Sequence, residues 1–263
     1  MTTLESALRG AGRKILVPYF TGGVAEDWTA YLHAYAAAGA DAIEIGLPFS
    51  DPMIDGPVVQ AASDRALARG ATVDSILADV AAVDVPVPLV AMTYLNIVHR
   101  AGAGVFCGRL AEAGVSGLIV PDAPLDECDE LSAAAASHCV DLVLLAAPST
   151  PSDRLAAIAE HSRGFVYAVS VMGTTGERPA LAAGAGALAA RLKGLTDRPV
   201  VLGLGISNAA QAAEGARYAD GVVIGSSLMR QVLAGATPGE VQDWLAAVRT
   251  SLDEEFAHSP VIA

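Results

Sequence analysis

Short β-rich runs alternate with helical patterns eight times along this chain, and that alternation limits the fold more than any other feature. A helical opening, Leu4–Gly12, precedes the first strand at Ile15–Phe20 and a helix at Trp28–Ala38 that Gly39 stops. The second strand is centred on Glu44 and leads to a helix from Val58 to about Arg69; Thr72 then caps a further helical stretch. Strand three is read at Leu89–Tyr94, with a helix at Gly104–Ala113, and strand four at Gly117–Asp122, with a helix from Leu125 to His138. Strand five is Asp141–Ala147, with a helix that Thr150 starts, and strand six is Phe165–Ser170, followed by a Gly- and Thr-rich loop and an Ala-rich helix ending near Leu195. Strand seven, Pro199–Leu204, precedes a helix at Ser207–Ala216, and strand eight, Gly221–Gly225, precedes helical residues to about His258. No linker or change of composition interrupts the series. The expectation is a single α/β domain over residues 1–263, a closed (β/α)8 TIM barrel with an extra N-terminal helix. In such a barrel the site lies at the carboxyl ends of the strands, so Glu44, Asp55, Tyr94, Asp122 and Tyr167 should share one mouth.

The stretch Asp41–Pro57, DAIEIGLPFSDPMIDGP, carries the chemistry most plainly. Side chains alternate along a strand, so Ile43, Ile45 and Leu47 face one layer while Ala42, Glu44 and Gly46 face the other. No Lys or Arg stands near Glu44 in sequence, and an unpaired charge in an apolar strand is costly enough to point to function. After Pro48 the chain turns at Ser50-Asp51-Pro52 and again at Asp55-Gly56, and Pro57 suits the first turn of a helix. Two carboxylates, Glu44 on the strand and Asp55 on its loop, can then face one pocket. Taken alone, Asp55 reads as a turn former.

A second feature lies at the ends of strands seven and eight, Gly203-Leu204-Gly205-Ile206-Ser207-Asn208 and Ile224-Gly225-Ser226-Ser227. Paired glycine-rich ends let backbone N–H groups approach an anion, and a helix N-terminus adds a favourable dipole, so a phosphate is expected there. The net charge of −13 suits recognition by backbone amides and argues against nucleic acid or anionic membrane surfaces as partners. No apolar run reaches the roughly 20 residues of a membrane span. The N-terminus lacks a signal-peptide pattern, and Cys107, Cys128 and Cys139, without CxxC spacing, read as reduced packing thiols in helices of a cytoplasmic protein. The five histidines are scattered, so no metal site is expected.

The run EIGLPFSDPMIDGP, with MTYLN at Met92–Asn96, VPDAP at Val120–Pro124, GTTG at Gly173–Gly176 and the two glycine ends, resembles the tryptophan synthase alpha chain family from about Leu16 to Ser227. The resemblance implies cleavage of indole-3-glycerol phosphate to indole and glyceraldehyde 3-phosphate, without a cofactor. It implies a beta chain as partner in an alpha2-beta2 complex. By the same resemblance the catalytic pair falls on Glu44 and Asp55, with Tyr167 as the active-site tyrosine. The phosphate site falls on Gly176, Gly205, Gly225 and Ser226, with Gly203 beside them, and indole-pocket positions fall on Tyr19, Met92, Tyr94, Ile119 and Leu145.

The chain departs from the family at Gly22-Gly23-Val24-Ala25, where many members carry an acidic Gly-Asp turn, and at Ser170-Val171-Met172, where many place Arg or Ser. Both carboxylates and the glycines remain. The residues also admit a stand-alone lyase that releases free indole, or a non-catalytic activator of a beta chain. A glycosidase using paired carboxylates ranks low, because strand seven ends in glycines rather than a carboxylate.

Overall fold

The computed structural model describes residues 3–169, 178–203 and 205–258, without the side chains of 178–183 and 258. In chain order, α1 (Leu4–Arg9), β1 (Ile15–Thr21), α2 (Trp28–Ala37), β2 (Ile43–Gly46), α3 (Pro57–Ala68), α4 (Val73–Ala82) and β3 (Leu89–Met92) form the first part. Then come α5 (Leu95–Ala101), α6 (Ala103–Glu112), β4 (Val115–Ile119), α7 (Asp129–Ser137), β5 (Asp141–Ala146), α8 (Ser152–His161) and β6 (Val166–Val169). The last part is α9 (Arg178–Lys193), β7 (Val200–Gly203), α10 (Ala209–Ala216), β8 (Gly221–Ile224), α11 (Ser226–Leu233) and α12 (Pro238–His258). The strands close in sequential order, every pair parallel, with β8 returning to β1. This is the TIM barrel that the alternation predicts, with α1 ahead of the first strand.

The alternation in β2 follows the predicted sides. Ile43, Ile45 and Leu47 join the large apolar layer between sheet and helices, whereas Ala42 joins the smaller cluster inside the barrel. That inner cluster continues through Ile15, Val17, Val90, Ile119, Val143, Phe165, Val201 and Val223. Helix α1 plugs its amino-terminal end: Leu4 and Leu8 are 0% and 2% exposed, and each contributes about 2 kcal/mol by leaving water. Gly117 and Gly164 make room for this plug, since a β-carbon at either would come within 2.6 and 2.7 Å of Leu4 Cδ2. The amino-terminal rim is also clamped electrostatically. Asp41 accepts from Arg13 Nη2 at 2.8 Å, from the Leu16 amide at 2.9 Å and from Arg249 Nη1 at 3.2 Å, tying α12 to the starts of β1 and β2.

Local signals account for most element ends. Pro57 opens α3 from its first position, and Thr72 caps α4 in a reciprocal capping box with Ser75. Three expectations need correction. The loop after β3 carries a separate helix, α5, which no periodicity announced because it spans only seven residues. The helical tail after β8 is two helices, α11 and α12, with Gly235 at φ +95 between them. Cys139 lies just past α7 rather than within a helix, exposed and at φ 57, where the chain turns into β5; Cys107 and Cys128 are buried.

Candidate active site

Register places the carboxylate of β2 among the barrel's inward side chains. Glu44 pairs with Tyr19 of β1 and Val90 of β3, and the layer above aligns Gly46 with Met92 and Met92 with Ile119. On the far wall Leu145 pairs with Tyr167, and Tyr167 with Val201. Two glycines shape the space between these walls. A β-carbon at Gly46 would collide with the Tyr19 hydroxyl, and one at Gly203 would stand 2.7 Å from Cε2 of Tyr167. The small residues beside Glu44 thus admit a tyrosine ring into the barrel. Gly203, expected at the phosphate, lies under Tyr167.

Glu44 is 1% exposed, and its Oε2 is buried without a hydrogen-bond partner among the described residues. Burial, and then the negative charge of Asp55, pushes its carboxyl up to about 8. Asp55 is half-buried on the loop that follows β2. Burial raises it to about 6, against the opposing effect of a hydrogen bond from Tyr94. Near pH 7 the pair therefore divides into a protonated Glu44 and an ionised Asp55. Tyr19, buried, and Tyr167, half-buried, are held far above the phenol's usual range by loss of solvent, so both remain neutral.

The loop bearing Asp55 is held from three sides. The Tyr94 hydroxyl donates to the Asp55 carboxylate and accepts the Ile54 amide at 3.2 Å, and the Tyr94 ring stacks on Phe49 with centroids 5.1 Å apart. Gln60, in the first turns of α3, donates to the Asp55 carbonyl at 2.8 Å. The Leu47 amide bonds the Met92 carbonyl at 2.8 Å. Phe49 and Gln60 went unread in the sequence, because neither residue type announces such a contact. The loop also exposes Met53 and Ile54, at 87% and 42%.

At the expected phosphate position, Gly225 stands at the N-cap of α11 and Ser226 begins that helix, so its first free amides face the carboxyl end of the barrel. Gly205 has φ +60, and among the described residues no atom lies within 4 Å of where its β-carbon would be. Ser227, unassigned in the sequence, joins the two glycine ends by donating to the Ile206 carbonyl at 2.7 Å. Asn208 caps α10 by accepting the Gln211 amide at 3.0 Å. Of the residues expected at the site, Glu44, Tyr167, Tyr19, Met92, Ile119 and Leu145 lie on the strands, Asp55 on the loop after β2 and Tyr94 at the N-cap of α5, with Gly203, Gly205, Gly225 and Ser226 at the ends of β7 and β8. Gly176 and the loop beginning Ser170-Val171-Met172 lie outside the described residues.

The family model "Tryptophan synthase alpha chain" matches residues 6–255. The chain is 43% identical to the tryptophan synthase alpha chain of Picosynechococcus sp. over 95% of this chain and 97% of that one. It is 44% identical to that of Laribacter hongkongensis over 94% and 97%. Among solved structures, tryptophan synthase subunit alpha from Legionella pneumophila superposes with a TM-score of 0.86 at 31% identity, covering 97% of this chain and 99% of that one. The aminoacrylate-bound tryptophan synthase from M. tuberculosis superposes with a TM-score of 0.84 at 37% identity, covering 96% and 100%. With the paired carboxylates in a closed barrel and likeness over nearly its whole length, the chain belongs to the tryptophan synthase alpha chain family, lyases that cleave indole-3-glycerol phosphate.

Proposed function

We propose that Glu44 and Asp55 divide the acid–base work of this cleavage in the chain. Breaking the bond between indole C3 and the glycerol chain directly would leave an unstable carbanion. Glu44, protonated, donates to C3, and the positive charge moves to the ring nitrogen. The resulting carboxylate takes the proton of the side-chain hydroxyl on the carbon being released, that carbon becomes the aldehyde, and the bonding electrons return to the ring. Glu44 ends the cycle protonated, as it began. Asp55, ionised, stabilises the cationic ring nitrogen between these steps. Tyr167, neutral and half-buried, forms the wall opposite with Tyr19, Met92, Tyr94, Ile119 and Leu145 around the indole. The observation that carries this reading is the buried oxygen of Glu44, unpartnered among the described residues, beside a second carboxylate that ionises more readily.

The phosphate of the substrate is proposed to sit at the ends of β7 and β8, on Gly205, Gly225, Ser226 and the N-terminus of α11, with Gly176 from outside the described residues. Gly203 supports Tyr167 beside it. Gly225→Asp is expected to weaken binding of glycerol phosphate at least about tenfold by charge repulsion, with affinity for indole alone little changed. Isothermal titration with each ligand separates the two, and equal losses would move the phosphate elsewhere.

A beta chain is proposed as partner in an alpha2-beta2 complex of the cytoplasm, docking where Met53 and Ile54 are exposed on the Asp55 loop. A docked partner would hold Asp55 in its productive position, and preorganisation accelerates without new catalytic groups. The test is indole or tryptophan formation titrated with a beta chain from the same source. Turnover is expected to rise at least about tenfold, roughly 1.4 kcal/mol in the barrier. Substitutions at Asp51 or Pro52 are expected to reduce that activation more than the basal rate. A flat titration with a fast isolated chain would leave a stand-alone lyase.

A further inference from the structure

We propose that Asp122, on the loop after β4, is a positioning residue for Asp55, acting through the first turn of α5 and the side chain of Tyr94. The proposal rests on the catalytic reading of Asp55. Helix α5 begins at Leu95, and Tyr94 occupies its N-cap without a side-chain cap of its own. A tyrosine cannot fold its hydroxyl back onto its own helix, so the first amides of α5 need an acceptor from elsewhere. Asp122 supplies it: Oδ1 accepts the Leu95 amide at 2.8 Å across the gap between the two loops. A carboxylate at a helix start is favourable in charge as well as geometry.

The residue held at that hinge is the one that grips the Asp55 loop. Tyr94 is 4% exposed, stacked on Phe49, with its hydroxyl between the Ile54 amide and the Asp55 carboxylate. Releasing the Leu95 amide frees the N-cap dihedrals, and a small rotation there is magnified at the far end of a tyrosine. Loss of the Tyr94 O–H bond removes a donor that favours ionised Asp55. Among the described residues the groups facing Asp55 are then Glu44 of β2, Tyr19 of β1 and Tyr167 of β6, with Tyr94 displaced; none of these is a cation. On its own loop Asp51 is engaged by Ser50 at 2.6 Å. The acidic limb of the pH–rate profile should therefore move upward.

A cap that served stability alone would leave that limb where it is. The experiment measures kcat/KM for indole release against pH in the full chain. Asp122→Ala is expected to move the acidic limb up by about one pH unit, and Asp122→Asn, whose amide oxygen still accepts the Leu95 amide, to keep it in place. Leu95→Pro removes the same N–H at a helical position that tolerates proline, and Tyr94 already has the extended backbone that proline requires of its predecessor; it should reproduce the alanine shift if Asp122→Ala does not fold. Tyr94→Phe should show the same shift, and adding Asp122→Ala to it should add nothing. An unmoved limb in Asp122→Ala or Leu95→Pro, with that limb absent in Asp55→Asn, overturns the role of Asp122 alone. A limb that persists in Asp55→Asn overturns the reading of Asp55 and this proposal with it.

Discussion

Replacing Glu44 with Gln is expected to lower indole release roughly 10²–10⁴-fold, the usual contribution of a positioned acid–base group. The amide keeps the shape of the side chain but cannot pass the proton to C3 and accept another from the hydroxyl. Binding of glycerol phosphate should survive, because the phosphate site lies across the mouth at β7 and β8. The same variant carries a stability signature of opposite sign. In the folded chain Glu44 holds its proton up to about 8, whereas an unburied glutamate releases it near 4.5. Below the lower value both states are protonated and the group is neutral to folding. As pH rises through the window between them, the unfolded chain gains by ionising and the native state loses stability. Glu44→Gln should therefore unfold at a higher denaturant concentration than the parent above pH 8 and show little such gain below pH 4. Activity within a few-fold of the parent would remove Glu44 from the mechanism, whereas an unchanged pH dependence of stability would contradict its buried state.

Asp55→Asn is expected to cut turnover on the order of 10²-fold with a much smaller effect on KM, because its charge matters most when the ring nitrogen is cationic. The parent should be most active between about 6 and 8, where Asp55 is ionised and Glu44 is not. In the variant the acidic limb should vanish. The alkaline limb should shift downward, since the charge that helps hold the Glu44 proton is gone. A steady-state pH series on both proteins makes this comparison. A loss confined to affinity would make Asp55 a binding or turn residue.

Much of this arrangement was legible along the chain because it depends on short-range periodicity. Inward Glu44 followed from a two-residue alternation within one strand, and the start of α3 from Pro57. The Gly-rich ends of β7 and β8 declared themselves by composition. By contrast, α5 is too short to show a helical period, and the turn after α11 leaves one long helical tail looking continuous. Gly46 and Gly203 were visible as glycines, yet not as the openings into which Tyr19 and Tyr167 fit.

The sequence by itself determined the barrel, the family and the two carboxylates, since each is encoded within a strand and its following loop. Tertiary structure sets how far apart the two carboxylates titrate. Asp55 and Glu44 have nearly the same intrinsic acidity, and their order is set by complete burial of one and a tyrosine hydrogen bond to the other. It also decided that Asp122 reaches the Leu95 amide and Ser227 the Ile206 carbonyl, separations of 27 and 21 residues. Such contacts arise only when the closed sheet brings neighbouring strand ends together, and no local pattern of residue types specifies which polar group will meet which.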